Sequence, residues 1–272
     1  MKALEISEQI AECVGLWLAE GDSTTEAEIT FTNNSWDLIL YFHKTVKNLF
    51  KVINPRIYIY FPSSEDMQEY SLDNIRFRYY IDSRATKPYF IYRIADKELV
   101  KIWKEIVEVC TIKEGIYSFI LRGFFAGEGN IKTSSHNSRT LRIAQKCQKE
   151  FINRILDYFG VDYKFSKRER AYVITNRANW QKLAEINIAD LHPIKRTKFW
   201  NTYSSFKEWH YKHNFIKNNI LTYLEKPMTS MDLARIFNRS QSRIQRILTS
   251  LKREGKITNY RKINKDYWIR VI

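Results

Sequence analysis

Apolar residues recur at helical spacing from residue 4 to residue 20, at Leu4, Ile6, Ile10, Val14, Leu16, Trp17 and Leu18. The run stops at Gly21, where a helix C-cap glycine belongs. "AEITFTNN" then alternates Ile29 and Phe31 with polar neighbours, which predicts a strand wet on one face. Ser35 caps a helix over "WDLILYFHKTVKNLF". Residues 52–94 are mainly β, with "RIYIYF" and a hairpin "IRFRYYID-SRATK-PYFIYRI" alternating Arg or Tyr with apolar residues. Asp96 to Cys110 is an amphipathic helix. The cycle then restarts with a helix from Gly115 to Glu128, two short strands in "NIKTSSHNSRTLRIAQK", and a helix "EFINRILDYFGV" ended by Gly160. A basic hairpin "YKFSKRERAYVITN", a short helix "ANWQKLAEI" and the closing "LHPIKRTKFWNTYSSF" follow. The order helix–strand–strand–helix–strand–strand–helix is thus expected twice, the first copy carrying extra sequence around 52–75.

The tail has another pattern. "FIKNNILTYLEKP" is a helix stopped by Pro227, and "TSMDLARIF" opens with a Thr229/Asp232 capping box. "SQSRIQRILTSLKREG" runs from a Ser240 cap to Gly255, and "KITNYRKINKDYWIRVI" makes two strands about the polar turn "NKD". Helix, short helix, longer basic helix and hairpin is the winged-helix arrangement. Its second helix would enter a DNA major groove with its first side chains facing bases. That nominates Gln241, Ser242, Arg243, Gln245 and Arg246, with Arg261, Lys262 and Lys265 on the wing. The expected division is 1–110, 111–212 and 213–272.

Two decamers stand in the same register, "CVGLWLAEGD" (Cys13 to Asp22) and "LRGFFAGEGN" (Leu121 to Asn130), at a constant offset of 108. Two copies imply a duplicated unit. Gly15 and Ala19, like Gly123 and Gly127, are four apart and share a helix face. Small residues there let two helix backbones approach closely. Glu20 and Glu128 follow one residue later, at each helix's C-terminal end, so packing the helices side by side brings two carboxylates together. The helix dipole and the second acid both disfavour charge there. Such a pair either shares a proton or binds a cation.

Composition narrows this. The 272-residue chain has 44% hydrophobic and 15% aromatic residues, enough for a proper core. Its net charge of +15, of which residues 215–272 supply +9, points to a polyanion, with nucleic acid ahead of a membrane surface. A Lys-rich solvated surface is the plainer reading of the charge. Three cysteines without a CxxC exclude a disulfide framework or zinc ribbon and suit a reducing intracellular compartment. No signal peptide and no membrane span are expected. For a basic, DNA-facing protein, Mg²⁺ or a similar hard divalent ion (Mn²⁺) is the natural cation for paired carboxylates. A divalent ion there would activate water and stabilise charge on a leaving oxygen, which phosphodiester hydrolysis needs.

"VGLWLAEG" and "RGFFAGEG" resemble the two motifs of monomeric LAGLIDADG homing endonucleases. "EITFTNN", "FGV" and "LHPIKRTKFW" are also similar, so the resemblance covers roughly residues 5–205. Trp17-Leu18 and Phe125-Ala126 depart from the family's Ile-Asp at those motif positions. The resemblance implies an α+β fold of two pseudo-symmetric αββαββα units whose motif helices pack at the centre and whose sheets saddle DNA. It implies site-specific, metal-dependent double-strand cleavage by a monomer. Carried over by position, Glu20 and Glu128 would hold the metal with the backbone at Ala19 and Gly127. Lys195 matches the basic residue of the second unit, and Gln145 is a candidate polar partner. The first unit offers Lys113, Asn33 or Asn34. On the sheets, Arg76, Arg78, Arg84, Lys132, Arg139, Arg142, Lys167, Arg168 and Arg170 are the candidates for DNA contact. Tyr58, Tyr60, Phe77 and Tyr79 are read as inward core residues. His210 and His213 have metal-like spacing but read as a surface pair. Two rivals are carried forward: a non-cleaving transcription regulator on the same fold, and an RNA-splicing maturase.

Overall fold

The computed structural model describes residues 6–133, 139–206 and 214–271. The chain forms two compact units, Met1–Phe206 and Lys207–Ile272. The expected boundary at 212/213 lies outside the described residues, as do His210 and His213. No described helix is long and apolar enough to cross a membrane.

The larger unit has the expected α+β class, with two helix-backed four-stranded sheets. Its first half runs α1 (Glu8–Glu20), β1 (Ile29–Asn33), α2 (Trp36–Phe50), β2 (Pro55–Phe61), β3 (Arg76–Ile81), β4 (Tyr89–Ile94) and α3 (Lys97–Ile112). The second runs α4 (Tyr117–Glu128), β5 (Gly129–Thr133), β6 (Arg139–Ala144), α5 (Glu150–Tyr158), β7 (Lys164–Ser166), β8 (Ala171–Ile174), α6 (Arg177–Glu185) and α7 (Pro193–Ser204). The second half therefore follows the expected αββαββα order, and its basic hairpin closes antiparallel across β7 and β8.

The first half differs in connection. A single strand separates α1 from α2, and three strands follow. The sheet order is β1-β4-β2-β3, against β5-β6-β8-β7 in the second half. The expected 76–94 hairpin does not form. β2 inserts between its arms, parallel to β3 and antiparallel to β4. Burial explains the choice. Ile57, Ile59 and Phe61 of β2 are fully buried and demand a central place, whereas on β3 Arg76, Arg78, Tyr80 and Ile81 are exposed and suit an edge.

Inward residues of this sheet (Phe31, Ile57, Ile59, Phe90, Tyr92) pack on Phe42 and Val46 of α2 and Trp103 of α3. Phe42 stacks on Phe31 at 4.6 Å and meets Trp103 edge-on at 5.8 Å. In the second sheet Ile131, Leu141, Ile143, Tyr172 and Ile174 face in, with Ile152, Ile155, Leu156 and Trp180 behind them. Burying alternate residues fixes which side chains remain for water.

The smaller unit comprises α8 (Phe215–Tyr223), β9 (Met228–Thr229), α9 (Ser230–Ile236), α10 (Gln241–Arg253), β10 (Ile257–Lys262) and β11 (Lys265–Arg270). Thr229 and Asp232 form the expected capping box, and the Ser240 hydroxyl accepts from the N–H of Arg243. Ile220, Leu233, Ile244, Leu248, Leu251 and Trp268 fill its core. β10 pairs with β11, which also pairs with β9. The expected "NKD" turn is displaced by one residue. Lys262 pairs with Lys265, and Ile263 and Asn264 turn the chain with φ of 45° and 59°, the geometry of a two-residue primed turn.

A candidate two-carboxylate centre between basic sheets

The site is built by the packing of α1 on α4. Glycine makes that approach possible. A Cβ on Gly15 would overlap the backbone of Ile120 and Phe124, and one on Gly123 would overlap the Glu12 carbonyl. One step further, Gly127 faces Ala19 Cβ and the Glu20 side chain; a Cβ placed there would lie 2.7 Å from Ala19 Cβ and 3.7 Å from Glu20 Oε1. The small residues thus deliver Glu20 to the end of α4, where Glu128 stands.

Gly21 caps α1 as expected, its N–H donating to the Trp17 carbonyl at 2.8 Å, and Gly129 caps α4. Neither is left-handed, with φ of −91° and −73°. Each instead lies under an aromatic ring of its own helix, Trp17 over Gly21 and Phe125 over Gly129, where any Cβ would collide with the ring. The repeated aromatic-xxx-Gly pair is therefore a packing constraint, held in register in both halves.

Charge at this interface is asymmetric. Arg122 Nη1 donates to Glu12 Oε1 at 2.6 Å across the two helices, and Nη2 donates to the Ile186 carbonyl at 3.0 Å. The Tyr41 hydroxyl of α2 donates to the other Glu12 oxygen. The pair is almost wholly buried, with side chains 17% and 8% exposed. No repeat of the motif announced it, because position 12 of the first copy corresponds to Ile120 in the second.

At the C-terminal ends the field is unfavourable to anions, as expected. Burial and then the neighbouring Glu128 push the Glu20 carboxyl up to about 7. Burial also raises Glu128. Lys195 of α7 answers both. Its ammonium donates to the carbonyls of Phe125 (3.2 Å), Ala126 (2.6 Å) and Gly127 (2.6 Å), the open C-terminus of α4. Burial lowers its pKa to about 8, while Glu20 and Glu128 pull it back up. Pro193 at the first turn of α7 pins the helix start that aims this lysine.

Other nominated residues scatter around this centre. The antiparallel register that sets Gly129 opposite Ile143 carries Gln145 to the sheet end where Glu128 lies, and its N–H donates to the Arg170 carbonyl at 2.7 Å. Lys113 is exposed at the end of α3, with Cys110 as its electrostatic neighbour. Asn33 is buried at the far end of β1 and accepts from the Ser35 N–H at 2.8 Å. Among the described residues, none of the three first-unit candidates shows a contact with Glu20.

The sheet faces sort the basic residues. Arg76 and Arg78 stand on the outward face of the first sheet. Tyr58 and Tyr60 share that face, which corrects their inward assignment; Phe77 and Tyr79 do turn inward to the core. Arg78 and Arg93 lie over the Tyr58 ring, at 5.8 and 4.9 Å. Lys132 is exposed on β5. Arg142 is outward but tied to Glu169. Arg139 has the parity of Leu141 and Ile143 and turns under the sheet. There it donates to Ser205 Oγ at 3.0 Å and lies 4.6 Å from the Phe206 ring centre. Lys167, Arg168 and Arg170 cluster on the exposed β7–β8 turn, and Arg84 is exposed but forked onto Asp82. In the smaller unit Ser242, Arg243, Arg246, Arg261, Lys262 and Lys265 are exposed, and Gln241 is anchored to Ser230 Oγ at 3.0 Å.

A divalent ion fits the donors present. Two carboxylates whose charges burial and mutual repulsion disfavour, beside backbone carbonyls, form a hard-oxygen set that a cation would relieve. Among the described residues no cluster of three or more His, Cys, Asp or Glu side chains exists, so further ligands would be backbone, water or substrate oxygens.

No family model matches the chain, and no curated protein matches it. Matching solved structures include several of the homing endonuclease I-DmoI. Mesophilic variants of it share 16% identity with a TM-score of 0.42, covering 69% of this chain and 93% of theirs. Its complex with DNA and Ca shares 15% identity with a TM-score of 0.44, covering 72% and 98%. Its complex with DNA and Mn shares 15% identity with a TM-score of 0.39, covering 75% and 99%.

Proposed function

We propose that this chain is a site-specific DNA endonuclease of the LAGLIDADG homing type, which hydrolyses phosphodiesters on both strands of a long duplex site with Mg²⁺ or Mn²⁺. The observation that carries the reading is the delivery of Glu20 and Glu128 to one point by a glycine-lined helix pair. Both motif helices lie in one chain, so a monomer suffices. When bound, the metal would supply an activated water and charge stabilisation at the leaving oxygen. Glu20 and Glu128 would hold it, with the Ala19 and Gly127 carbonyls adjoining. Lys195 keeps a cationic donor beside both acids, where it can meet a scissile phosphate. Gln145, at the same sheet end, is placed to orient water.

Arg76, Arg78, Lys132 and the Lys167–Arg168–Arg170 turn supply phosphate and base contacts along the two sheets. The α8–β9–α9–α10–β10–β11 order of the smaller unit supports a winged-helix reading in which α10 is the groove-entering helix, with Arg243 and Arg246 toward bases and Arg261 and Lys262 on the wing. Retention of both acids favours cleavage over the regulator reading. A supercoiled plasmid library carrying randomised sites, incubated with the full chain and Mg²⁺, should yield linear molecules from a small set of sites. A library that stays supercoiled while the protein binds duplex would refute the nuclease and favour the regulator.

A further inference from the structure

The outward face of the first sheet carries a feature that phosphate binding does not use. Tyr80, Tyr60 and Tyr89 stand side by side on β3, β2 and β4, in register across the three strands. Tyr60 stacks on Tyr80 at 5.1 Å and 20°, and on Tyr89 at 4.7 Å and 1°. Tyr60 thus covers one face of the Tyr89 ring. On the other side β1 has ended: its last pair is Asn33 with Phe90, so Asn34 takes the place opposite Tyr89. A shallow cleft of about 460 Å³, largely open to solvent, lies there, lined by Asn34, Asp82, Arg84, Thr86, Lys87 and Tyr89. That is within the range of small-ligand clefts, roughly 300–1,000 Å³.

The lining is pre-set. The Tyr89 hydroxyl donates to Asp82 Oδ2 at 3.1 Å, and Arg84 forks onto the same carboxylate at 2.9 and 3.1 Å. These bonds hold the ring upright at the end of the stack. Stacked aromatics ending beside cationic and amide side chains suit a flat, polar-edged, phosphate-bearing ligand. A paired base within a duplex cannot reach such a slot, because its faces are already covered by its neighbours.

We propose that this cleft binds one unpaired nucleotide of the bound nucleic acid, its base extending the Tyr80–Tyr60–Tyr89 stack, its polar edge at Asn34 and Thr86, and its phosphate at Lys87. The site rests on the nucleic-acid reading above but not on cleavage. The test uses the full chain in EDTA with a fluorescent duplex carrying a single extrahelical 2-aminopurine, against the same duplex fully paired. The bulged duplex should bind more tightly by roughly 5- to 150-fold, the span one base–aromatic stack supports. The 2-aminopurine fluorescence should be quenched on binding. Tyr89→Leu should abolish both effects, and Lys87→Gln, on an exposed loop, should reduce the preference with melting unchanged. A bulged RNA duplex in the same assay separates a DNA from an RNA source, and a preference in either supports the site. Equal affinity for bulged and paired duplexes, or a preference that survives Tyr89→Leu, would overturn the site while leaving duplex binding standing. Binding to neither duplex would overturn both.

Discussion

Replacing Glu20 by Gln removes a charge that the fold pays to bury. The Glu20 carboxyl rises from an ordinary 4.5 to about 7, first from burial and then from Glu128. At about 1.4 kcal/mol per pH unit, that places roughly 3 kcal/mol against the ionised form. The sign follows from proton counting. Between about pH 4.5 and 7 the folded chain holds the Glu20 proton more tightly than the unfolded chain does. The Glu20 contribution to the stability of the metal-free protein therefore falls as pH rises through that window and levels off above it, and it is read as the difference between wild type and variant. Glu20→Gln keeps the shape and removes the titration. At pH 8 in EDTA it should be more stable than wild type by about 1–3 kcal/mol, and at pH 4.5 the difference should vanish. For a unit of this size, each kcal/mol moves Tm by roughly 2–4 °C, so thermal melts by circular dichroism across pH 4.5–8 resolve it. Mg²⁺ should raise the wild-type Tm and leave the variant's nearly unmoved. A variant no more stable than wild type at pH 8, or an advantage that does not change with pH, would refute a strained acid pair.

Four other outcomes follow from the same geometry. Arg122→Ala leaves Glu12 buried without its cation and should cost about 3–5 kcal/mol in urea unfolding; retention of wild-type stability would deny that the pair bridges the motif helices. Gly123→Ala drives a methyl into the Glu12 carbonyl and should cost at least about 1–3 kcal/mol, whereas Gly115→Ala, where a Cβ meets nothing, should be nearly neutral. Lys195→Met should leave duplex binding within a few fold while slowing cleavage by roughly 10²-fold or more, of the order general acid–base groups contribute, read by single-turnover rates. Arg243→Ala with Arg246→Ala should weaken binding to the recovered site by about 1–3 kcal/mol per arginine and relax its sequence preference, with little change in the salt-dependence slope; equal weakening on recovered and unrelated duplexes would deny that α10 faces bases.

The helices and the second-half strands were legible because their signals are local: periodic apolar residues, the Ser240 cap and the Thr229/Asp232 box all act within a few residues. The glutamate pair was legible because duplication repeats it at one offset. The connection of the first sheet was not. The "SRATK" segment reads as a hairpin turn, but which strand pairs with which depends on how much each buries, and β2 outbids β3 for the centre with Ile57, Ile59 and Phe61. Arg139 shares the parity of the buried Leu141 and Ile143, which turns its side chain under the sheet. The Glu12–Arg122–Tyr41 cluster and the Lys195 contacts join residues tens of positions apart with no repeat to mark them. Gly21 shows the limit of a local rule: its position was right for a C-cap, but its absent Cβ makes room for Trp17.

The claim at the centre is that Glu20 and Glu128 act as one metal-holding pair over DNA rather than as two helix ends. The direct measurement is single-turnover cleavage, strand by strand, of a duplex bearing the site recovered from the plasmid library. Wild type, Glu20→Gln and Glu128→Gln should be compared in Mg²⁺ at equal occupancy. Wild type should cut both strands, and either single substitution should abolish cutting of both while binding persists. Cutting of both strands at the wild-type rate by either variant would contradict a shared metal-holding pair.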